Sequence, residues 1–194
     1  MAQERREVVV VRSRIVLIVM GVLCAAVAHA QTPMTGMLSG HIGVVHGGDT
    51  EKVGVAPAAS VTVLESSGWG AEVELGHARR FAGDVFEESG ITTLMVNALY
   101  MRPHPVVRPF GTAGVGLLRV RASIIDEQSV VNRTDWGFNG GGGVLVMLND
   151  AVGVRADLRY FRYFQSHDDL PLTNNGFFDF WRTSIGATWS WPIR

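Results

Sequence analysis

The stretch FFDFWRTSIGATWSW, residues 177–191, alternates two kinds of side chain along most of its length. Successive side chains of a β-strand point to opposite faces, so this period of two predicts a strand with one apolar and one polar face. The apolar face carries Phe177, Trp181, Thr183, Ile185, Ala187, Trp189 and Trp191, and Asp179 interrupts it near one end. The polar face carries Arg182, Ser184, Gly186, Thr188 and Ser190.

Seven earlier segments have the same β-forming character and are bounded by turn residues. The eight predicted strands are Gly36–His46, Ala58–Leu64, Trp69–Arg80, Ile91–Met101, Arg108–Ala122, Trp136–Leu148, Ala151–Phe164 and Phe177–Trp191. Because no segment carries a stripe with the 3.6-residue period of a helix, we expect an all-β protein. The 23 glycines among 194 residues, roughly 12% against a usual level of about 7%, favour a tightly curved sheet.

The links between the predicted strands alternate in length. Long polar links span Gly47–Pro57, Phe81–Gly90, Ser123–Asp135 and Gln165–Gly176, whereas short links span Glu65–Gly68, Arg102–Val107 and Asn149–Asp150. An even number of strands with short periplasmic turns and longer external loops is typical of a transmembrane barrel. The sequence therefore predicts an eight-stranded antiparallel up-and-down transmembrane β-barrel with both termini in the periplasm.

The aromatic residues separate this barrel from a soluble β-sandwich, which alternation alone would also fit. They collect at strand ends, where amphipathic rings favour membrane interfaces. One predicted rim holds Trp69, Tyr100, Phe110, Trp189 and Trp191. The other holds Trp136, Phe138, Tyr160, Phe161, Tyr163, Phe164, Phe177, Phe178, Phe180 and Trp181.

The N-terminus has the form of a cleaved secretory signal peptide, residues 1–30, followed by a barrel domain over residues 31–194. Its features are the basic residues Arg5, Arg6, Arg12 and Arg14, the apolar run Ile15–Val27, and the small-residue cleavage site Ala28-His29-Ala30. The apolar run is shorter than the roughly 20 residues of a membrane-spanning helix. Cleavage after Ala30 would also remove the single cysteine, Cys24.

The predicted mature chain gives no electrostatic sign of a nucleic-acid partner. Removing the four arginines and two glutamates of residues 1–30 leaves 13 basic and 16 acidic residues, a net charge near −3. A nucleic-acid-binding domain would instead carry a basic patch or stripe.

The end of the chain carries a pattern that points to a family. Ser184 to Trp191 fit polar-x-Gly-x-x-aromatic-x-aromatic, with Gly186, Trp189 and Trp191 at the specified positions. This resembles the assembly signal on the last strand of outer-membrane barrels, although Pro192-Ile193-Arg194 extend beyond it where such barrels usually end on the aromatic residue.

Three further motifs strengthen that resemblance: Trp69-Gly-Ala-Glu-Val-Glu-Leu-Gly, Arg108-Pro-Phe-Gly-Thr-Ala-Gly-Val-Gly and Val154-Arg-Ala-Asp-Leu-Arg-Tyr-Phe. Over roughly residues 34–191 the chain resembles the small eight-stranded outer-membrane barrels, such as the barrel domain of outer membrane protein A. The resemblance implies a monomer in the outer membrane of a Gram-negative bacterium. Its implied partners are outer-membrane lipids, lipopolysaccharide and the barrel-assembly machinery. Because the family includes passive anchors, narrow pores, adhesins and lipid-modifying enzymes, fold alone does not give the function.

Six charged residues are predicted to face the barrel interior if the apolar faces contact lipid. They are Glu72, Glu74, Arg155, Asp157, Arg159 and Arg182. Strands three and seven lie on opposite walls of an eight-stranded barrel, whose interior is just wide enough for side chains to fill. We therefore expect Arg155 and Arg159 to reach Glu72 and Glu74. The favoured interpretation is a structural plug, and the alternative is a gate whose ion pairs rearrange to pass ions.

The favoured function is a structural role in envelope integrity, with slow permeation through a narrow pore as a variant, and no enzymatic activity. One alternative is a lipid A-modifying enzyme near Ser166 and His167, although adjacent strand residues face opposite ways and a nucleophile must reach its base. Another is a surface adhesin. The scattered histidines His41, His46, His77, His104 and His167 lack metal-ligand spacing, so neither a metal nor a cofactor is expected.

Overall fold

The alternating segments fold into antiparallel strands, each hydrogen-bonded to the next along the chain. The computed structural model describes residues 33–48, 50, 53–79, 86–124, 130–164 and 177–193. We number the strands in these ranges β1 (Met34–His46), β2 (Gly54–Val55 and Ala58–Glu65), β3 (Trp69–Arg79), β4 (Phe86–Met101), β5 (Val107–Ile124), β6 (Val130–Met147), β7 (Val152–Phe164) and β8 (Phe177–Ile193). All of them belong to the unit Met34–Arg194.

The strands close into a ring because β1 pairs with β8 as well as with β2. The closing ladder runs from Met34 opposite Ile193 to His46 opposite Trp181. Following paired residues once around the ring from Gly36 leads back to β1 at His46, ten residues further along. A stagger of this kind is what closing a sheet of tilted strands requires. The predicted eight-stranded antiparallel up-and-down barrel is confirmed.

Strand β2 is interrupted at Pro57 but keeps one register throughout. Gly43 and Ala56 exchange two backbone hydrogen bonds, at 3.1 and 2.8 Å, and His77 N donates to Pro57 O at 2.9 Å. Because Pro57 has no N–H, it removes one ladder bond without ending the strand. The loop predicted over Gly47–Pro57 is therefore too long, since β2 already begins at Gly54.

Several strands also extend further than the sequence pattern indicates. β4 begins at Phe86 rather than Ile91, β5 continues to Ile124, and β6 begins at Val130 rather than Trp136. The predicted limits marked where apolar alternation stops, but backbone pairing does not require an apolar face. The ladder therefore continues past the segment that can contact lipid.

The two ends of the barrel differ in their connections. At one end, which we call the turn end, lie the short links between β2 and β3, β4 and β5, and β6 and β7, together with Met34 and Ile193. Gly68 has a φ of 95° there, a conformation that favours glycine. Asn149 Oδ1 accepts hydrogen bonds from Ala151 N and Val152 N at 2.9 and 2.8 Å. The opposite end, which we call the loop end, carries the other links.

The outward face of the barrel is apolar and exposed, as contact with lipid acyl chains requires. Large side chains that remain 40% exposed or more include Leu38, Ile42, Val61, Leu75, Val115, Leu158 and Ile185. Among the described residues no helix is long and apolar enough to cross a membrane.

The predicted aromatic rims are correct for some rings and wrong for five. Trp69, Tyr100 and Trp189 at the turn end, and Trp136, Phe138, Phe164 and Trp181 at the loop end, are exposed on the outward face. Five of the predicted rim residues are instead buried inside the barrel: Phe110, Phe161, Tyr163, Phe178 and Phe180. Period two explains the error, because neighbouring rings such as Phe180 and Trp181 must point to opposite faces. The side chain of Phe177 lies outside the described residues.

Candidate functional site

The middle of the barrel interior holds all six charged side chains that the sequence placed there. Alternation on β3 turns Glu72 and Glu74 inward, and the same period on β7 and β8 turns the other four inward. None of the six is more than 5% exposed. Buried charges persist in proteins when they are paired and hydrogen-bonded, so their contacts decide what this interior can do.

Glu72 lies at the centre of the network and both of its carboxylate oxygens are hydrogen-bonded. Arg155 Nη1 donates to Oε2 at 2.7 Å, and Arg159 Nη2 donates to Oε1 at 2.9 Å. Thr62 Oγ1 and Asn97 Nδ2 donate to the same carboxylate at 3.3 and 3.1 Å. Strands on opposite walls, β3 and β7, are thus joined across the lumen.

The other two carboxylates, Glu74 and Asp157, connect Arg182 to the network and make further contacts with Arg155 and Arg159. Arg182 Nη2 donates to Glu74 Oε2 at 2.8 Å, and Arg159 Nη1 lies 3.3 Å from the same oxygen. Arg155 Nε donates to Asp157 Oδ2 at 3.2 Å, while Ser184 Oγ donates to Asp157 Oδ1 at 2.7 Å. Asp157 Oδ2 is also 3.6 Å from Arg159 Nη2.

Together the six residues form an electrically neutral cluster of three guanidinium groups and three carboxylates. Arg159 contacts all three carboxylates, Arg155 contacts two of them, and Arg182 contacts one, which it shares with Arg159. Such a buried network adds little net stability compared with apolar packing, but removing one member leaves an uncompensated charge and is strongly destabilising. Substitution of any single member of the network is therefore expected to destabilise the barrel.

Neutral polar side chains surround the cluster, and we call them and the six charges together the polar layer. Asn139 Nδ2 donates to Asn97 Oδ1 at 2.8 Å, which connects β6 to β4. Ser39 Oγ and Thr188 Oγ1 lie 2.9 Å apart across the closing ladder. His41 Nε2 lies 3.3 Å from Ser60 Oγ. Only Thr188 among these residues was placed on a polar face from the sequence. The others were not predicted to line the lumen, although their alternation with apolar neighbours on β1, β2 and β4 was available as a signal.

Apolar side chains cover the polar layer on both sides. Towards the turn end lies the turn-side layer, made of Met37, Leu64, Leu99, Met101, Phe110, Leu145 and Met147. Towards the loop end lies the loop-side layer, made of Val45, Ala56, Ala78, Ile91, Met95, Leu118, Phe161, Tyr163, Phe178 and Phe180. In the loop-side layer the rings of Phe161 and Phe180 stack with centroids 5.0 Å apart.

Two arginines connect the polar layer to these apolar layers. The guanidinium carbon of Arg155 lies 4.4 Å from the ring centre of Phe110, and that of Arg182 lies 5.0 Å from the ring centre of Phe161. Both distances are in the range of cation–π attraction. Neither apolar layer was predicted from the sequence. The signal was nevertheless present on β7, where Phe161 and Tyr163 follow Arg159 at a period of two and so continue its inward face.

Inward-facing glycines make room for the large luminal side chains. A Cβ at Gly137 would meet the ring of Tyr163, and one at Gly143 would lie 2.7 Å from Asp157 Cβ. On β5, a Cβ at Gly116 would lie 2.6 Å from Met95 Sδ. Glycines on β6 thus border the packed interior of the barrel.

The residues of the predicted assembly signal lie in the closing ladder. Gly186 is opposite His41, Trp189 opposite Leu38 and Trp191 opposite Gly36. The Trp191 ring covers Gly36, where an added Cβ would lie 2.5 Å from Trp191 Cε2. Pro192 and Ile193 extend β8 and pair with Thr35 and Met34. The recognition of this strand by assembly machinery stays a prediction.

The candidate enzymatic residues and three of the scattered histidines lie apart from this network or outside the described part of the chain. Ser166 and His167 lie outside the described residues. His46 lies 3.0 Å from Thr183 Oγ1, and His77 Nδ1 lies 3.0 Å from Thr92 Oγ1. His104 Nδ1 accepts backbone hydrogen bonds in the turn after β4. Within the described ranges no group of three or more metal-ligating side chains converges.

Several solved structures have a similar fold, among them an outer membrane protein. Neisserial surface protein A matches with a TM-score of 0.58 and 14% identity, over 81% of this chain and 95% of that chain. The outer membrane protein OprG of Pseudomonas aeruginosa matches with a TM-score of 0.58 and 12% identity, over 82% and 96%. Ail, the attachment invasion locus protein of Yersinia pestis, in complex with the heparin analogue sucrose octasulfate, matches with a TM-score of 0.55 and 15% identity, over 83% and 100%. At these identities the likeness concerns the fold.

The sequence itself matches a family model over most of its length. No curated protein matches it. The model described as outer membrane protein beta-barrel domain, however, covers residues 15–189. The chain belongs to the outer membrane protein β-barrel domain family, and it is a protein of the outer membrane.

Proposed function

We propose that this protein is a closed outer-membrane barrel that supports envelope integrity, with neither enzymatic activity nor a continuous pore. The observation that carries the proposal is the layered interior, in which a neutral ion network lies between two apolar layers. Each layer is made of buried side chains that come from several walls of the barrel.

The layers oppose ion flow for two separate reasons. An ion entering the polar layer meets guanidinium groups and carboxylates that already neutralise one another at 2.7 to 3.6 Å. It must also cross the apolar layers, where it would lose its hydration shell, and hydrophobic constrictions of this kind close pores by excluding water. Opening one layer would leave the others closed.

The proposed orientation places the turn end in the periplasm and the loop end outside the cell, as in other outer-membrane barrels. The barrel contacts outer-membrane lipids through its apolar outward face. Because the β1–β8 ladder leaves no strand edge unpaired among the described strands, the barrel has no need of a partner subunit and is proposed to be a monomer. The closing strand β8, with Gly186, Trp189 and Trp191, is proposed to bind the barrel-assembly machinery.

One alternative function depends on the link that contains Ser166 and His167, outside the described residues. A lipid A-modifying activity would be detected by mass analysis of lipid A from cells with and without the protein. A surface adhesin would be detected by binding of cells to host surfaces. Both alternatives stay predictions of the sequence.

A strain that lacks the protein tests the proposed role. We expect its outer membrane to become more sensitive to detergent and to leak periplasmic enzymes, while uptake of small hydrophilic solutes stays unchanged. The wild-type chain should reverse the defect, and so should Arg162→Ala, which alters an outward-facing residue on β7. Slower uptake of small solutes in the deletion strain, with an intact barrier, would instead identify a pore.

A further inference from the structure

The turn end of the lumen opens into a pocket of about 400 Å³, which we call the turn-end pocket. This volume lies in the range of roughly 300 to 1,000 Å³ that is typical of small-molecule sites. Leu64 on β2, Met101 on β4 and Arg108 on β5 line it. Leu64 and Met101 belong to the turn-side layer, and Arg108 precedes Phe110 of that layer by two residues, so all three face inward. The pocket therefore lies in the mouth of the barrel and not on its lipid-facing surface.

The link between β4 and β5 forms one wall of the pocket and has little conformational freedom. Arg102 N donates a hydrogen bond to Pro109 O at 2.9 Å, which closes the link at its base. Pro103 and Pro105 restrict φ on both sides of His104. The polar groups of this wall are thus held in place before a ligand binds, which reduces the entropy that binding costs.

Three groups of the same link are available as hydrogen-bond donors. His104 Nδ1 accepts hydrogen bonds from Val106 N and Val107 N at 3.3 and 3.2 Å, so the proton of the neutral imidazole lies on Nε2, which can donate. Arg108 Nε donates to His104 O at 2.7 Å, and within the described residues its guanidinium group makes no further hydrogen bond or ion pair. The exposed guanidinium group of Arg102 makes none with the described residues.

The charges that line the pocket favour a singly charged anion. Arg102 and Arg108 contribute two positive charges and Glu65 contributes one negative charge, so with a neutral His104 the net charge is +1. A guanidinium group binds a carboxylate through two parallel hydrogen bonds. The carboxylate of Glu65, by contrast, disfavours the second negative charge of a phosphate group.

We propose that the turn-end pocket binds a small organic carboxylate that carries an apolar group. The carboxylate of the ligand accepts hydrogen bonds from Arg102, Arg108 and His104 Nε2, and its apolar group contacts Leu64 and Met101. Because these two residues belong to the turn-side layer, the ligand is held at the mouth of the barrel and does not pass through it. The orientation proposed above places this pocket in the periplasm, but binding itself does not depend on that orientation.

The test is equilibrium dialysis of phenylpropionate against the purified, folded full chain. Three further probes vary one property each: phenylpropionamide has no charge, acetate has no large apolar group, and phenyl phosphate has two charges. The pocket variants are Arg102→Gln and Arg108→Gln. Arg79→Gln removes an exposed arginine at the loop end and is the matched control. A heat-modifiable band on a gel confirms that each variant is folded.

We expect the wild type and Arg79→Gln to bind phenylpropionate equally. Arg108→Gln should weaken binding at least about tenfold, since one lost charge-assisted hydrogen bond corresponds to a factor of this order. Arg102→Gln should weaken it about threefold, because water and salt screen an exposed charge. The amide, acetate and phenyl phosphate should all bind the wild type more weakly than phenylpropionate does.

An absence of saturable phenylpropionate binding at millimolar concentrations would overturn the proposal, and so would an unchanged affinity in both pocket variants. Equal binding of the amide would exclude recognition of the carboxylate. Acetate or phenyl phosphate bound as tightly as phenylpropionate would reject the proposed class of ligand. Since the assay uses purified protein and measures binding at the mouth of the barrel, its outcome is independent of the closed lumen; labelling of a tag at the loop end of intact cells tests the orientation separately.

Discussion

At the scale of single residues, Glu72 is the side chain with the most partners in the lumen. It accepts hydrogen bonds from Arg155, Arg159, Thr62 and Asn97, and is fully buried. Removing this carboxylate leaves three guanidinium groups with two carboxylates, so that one positive charge in the buried network is uncompensated. The sequence predicts that Arg155 and Arg159 reach Glu72 and Glu74. In the structure Arg159 contacts both carboxylates and Arg155 contacts Glu72, a detail that the sequence does not give because side-chain reach across a lumen depends on the stagger of the barrel.

We expect Glu72→Gln to lower the free energy of unfolding by about 3 to 5 kcal/mol, the range for breaking a buried ion pair from one side. Denaturant titration of the protein folded in phospholipid vesicles measures this change. Glu65→Gln at the turn end is the control, with an expected change below about 1 kcal/mol. Similar values for the two variants would contradict a tightly packed network.

Gly137 shows how closely the interior is filled. A side chain there would meet both the Tyr163 ring and the backbone carbonyl of Arg162, whereas a Cβ at Gly140 on the same strand would meet nothing within 4 Å. We expect Gly137→Ala to destabilise the barrel by about 1 to 3 kcal/mol, as overpacking does. Gly140→Ala should be close to neutral in the same titration. Two equally tolerated substitutions would mean that the loop-side layer is loosely packed.

At the scale of elements, the last strand contains both what the sequence predicts well and what it predicts poorly. Its alternation correctly separates Arg182, Ser184 and Thr188 from the outward face. At the stretch 177–181, however, both faces are aromatic or apolar apart from Asp179, so hydrophobicity gives no direction. Continuing the alternation from Arg182 points Phe180 inward and Trp181 outward, which is the arrangement in the structure.

The extension of β8 beyond Trp191 should contribute little to folding. Pro192 has no N–H to donate, and Ile193 is 39% exposed. We expect deletion of residues 192–194 to leave the heat-modifiable fraction after refolding into vesicles close to that of the full chain. Trp191→Ala should reduce that fraction, because the ring covers Gly36 and lies 5.2 Å from the Trp189 ring. Loss of folding after this deletion alone would contradict the expectation and show that the extension contributes to the stability of the closing ladder.

At the scale of the whole molecule, the interior is organised in three layers rather than as one polar plug. The sequence predicts the strand number, the ring and the six charges, because each follows from local alternation and link length. The two apolar layers were not predicted from the sequence, because the inward and outward faces are both hydrophobic near the strand ends, as with Leu99 and Tyr100 on β4. An eight-stranded barrel must fill its own interior, and here methionine, leucine and aromatic side chains complete the filling.

The central claim, that the lumen is closed, is tested most directly by the conductance of the purified wild-type barrel in a planar lipid bilayer. The variant Arg155→Ala with Arg159→Ala is measured beside it, and Arg162→Ala on the outward face of the same strand is the control. We expect no resolved current steps for the wild type or the control, and none for the double variant while the two apolar layers remain. Steady single-channel steps from the folded wild type, altered in the double variant but not in Arg162→Ala, would contradict a closed lumen and identify the ion network as a gate.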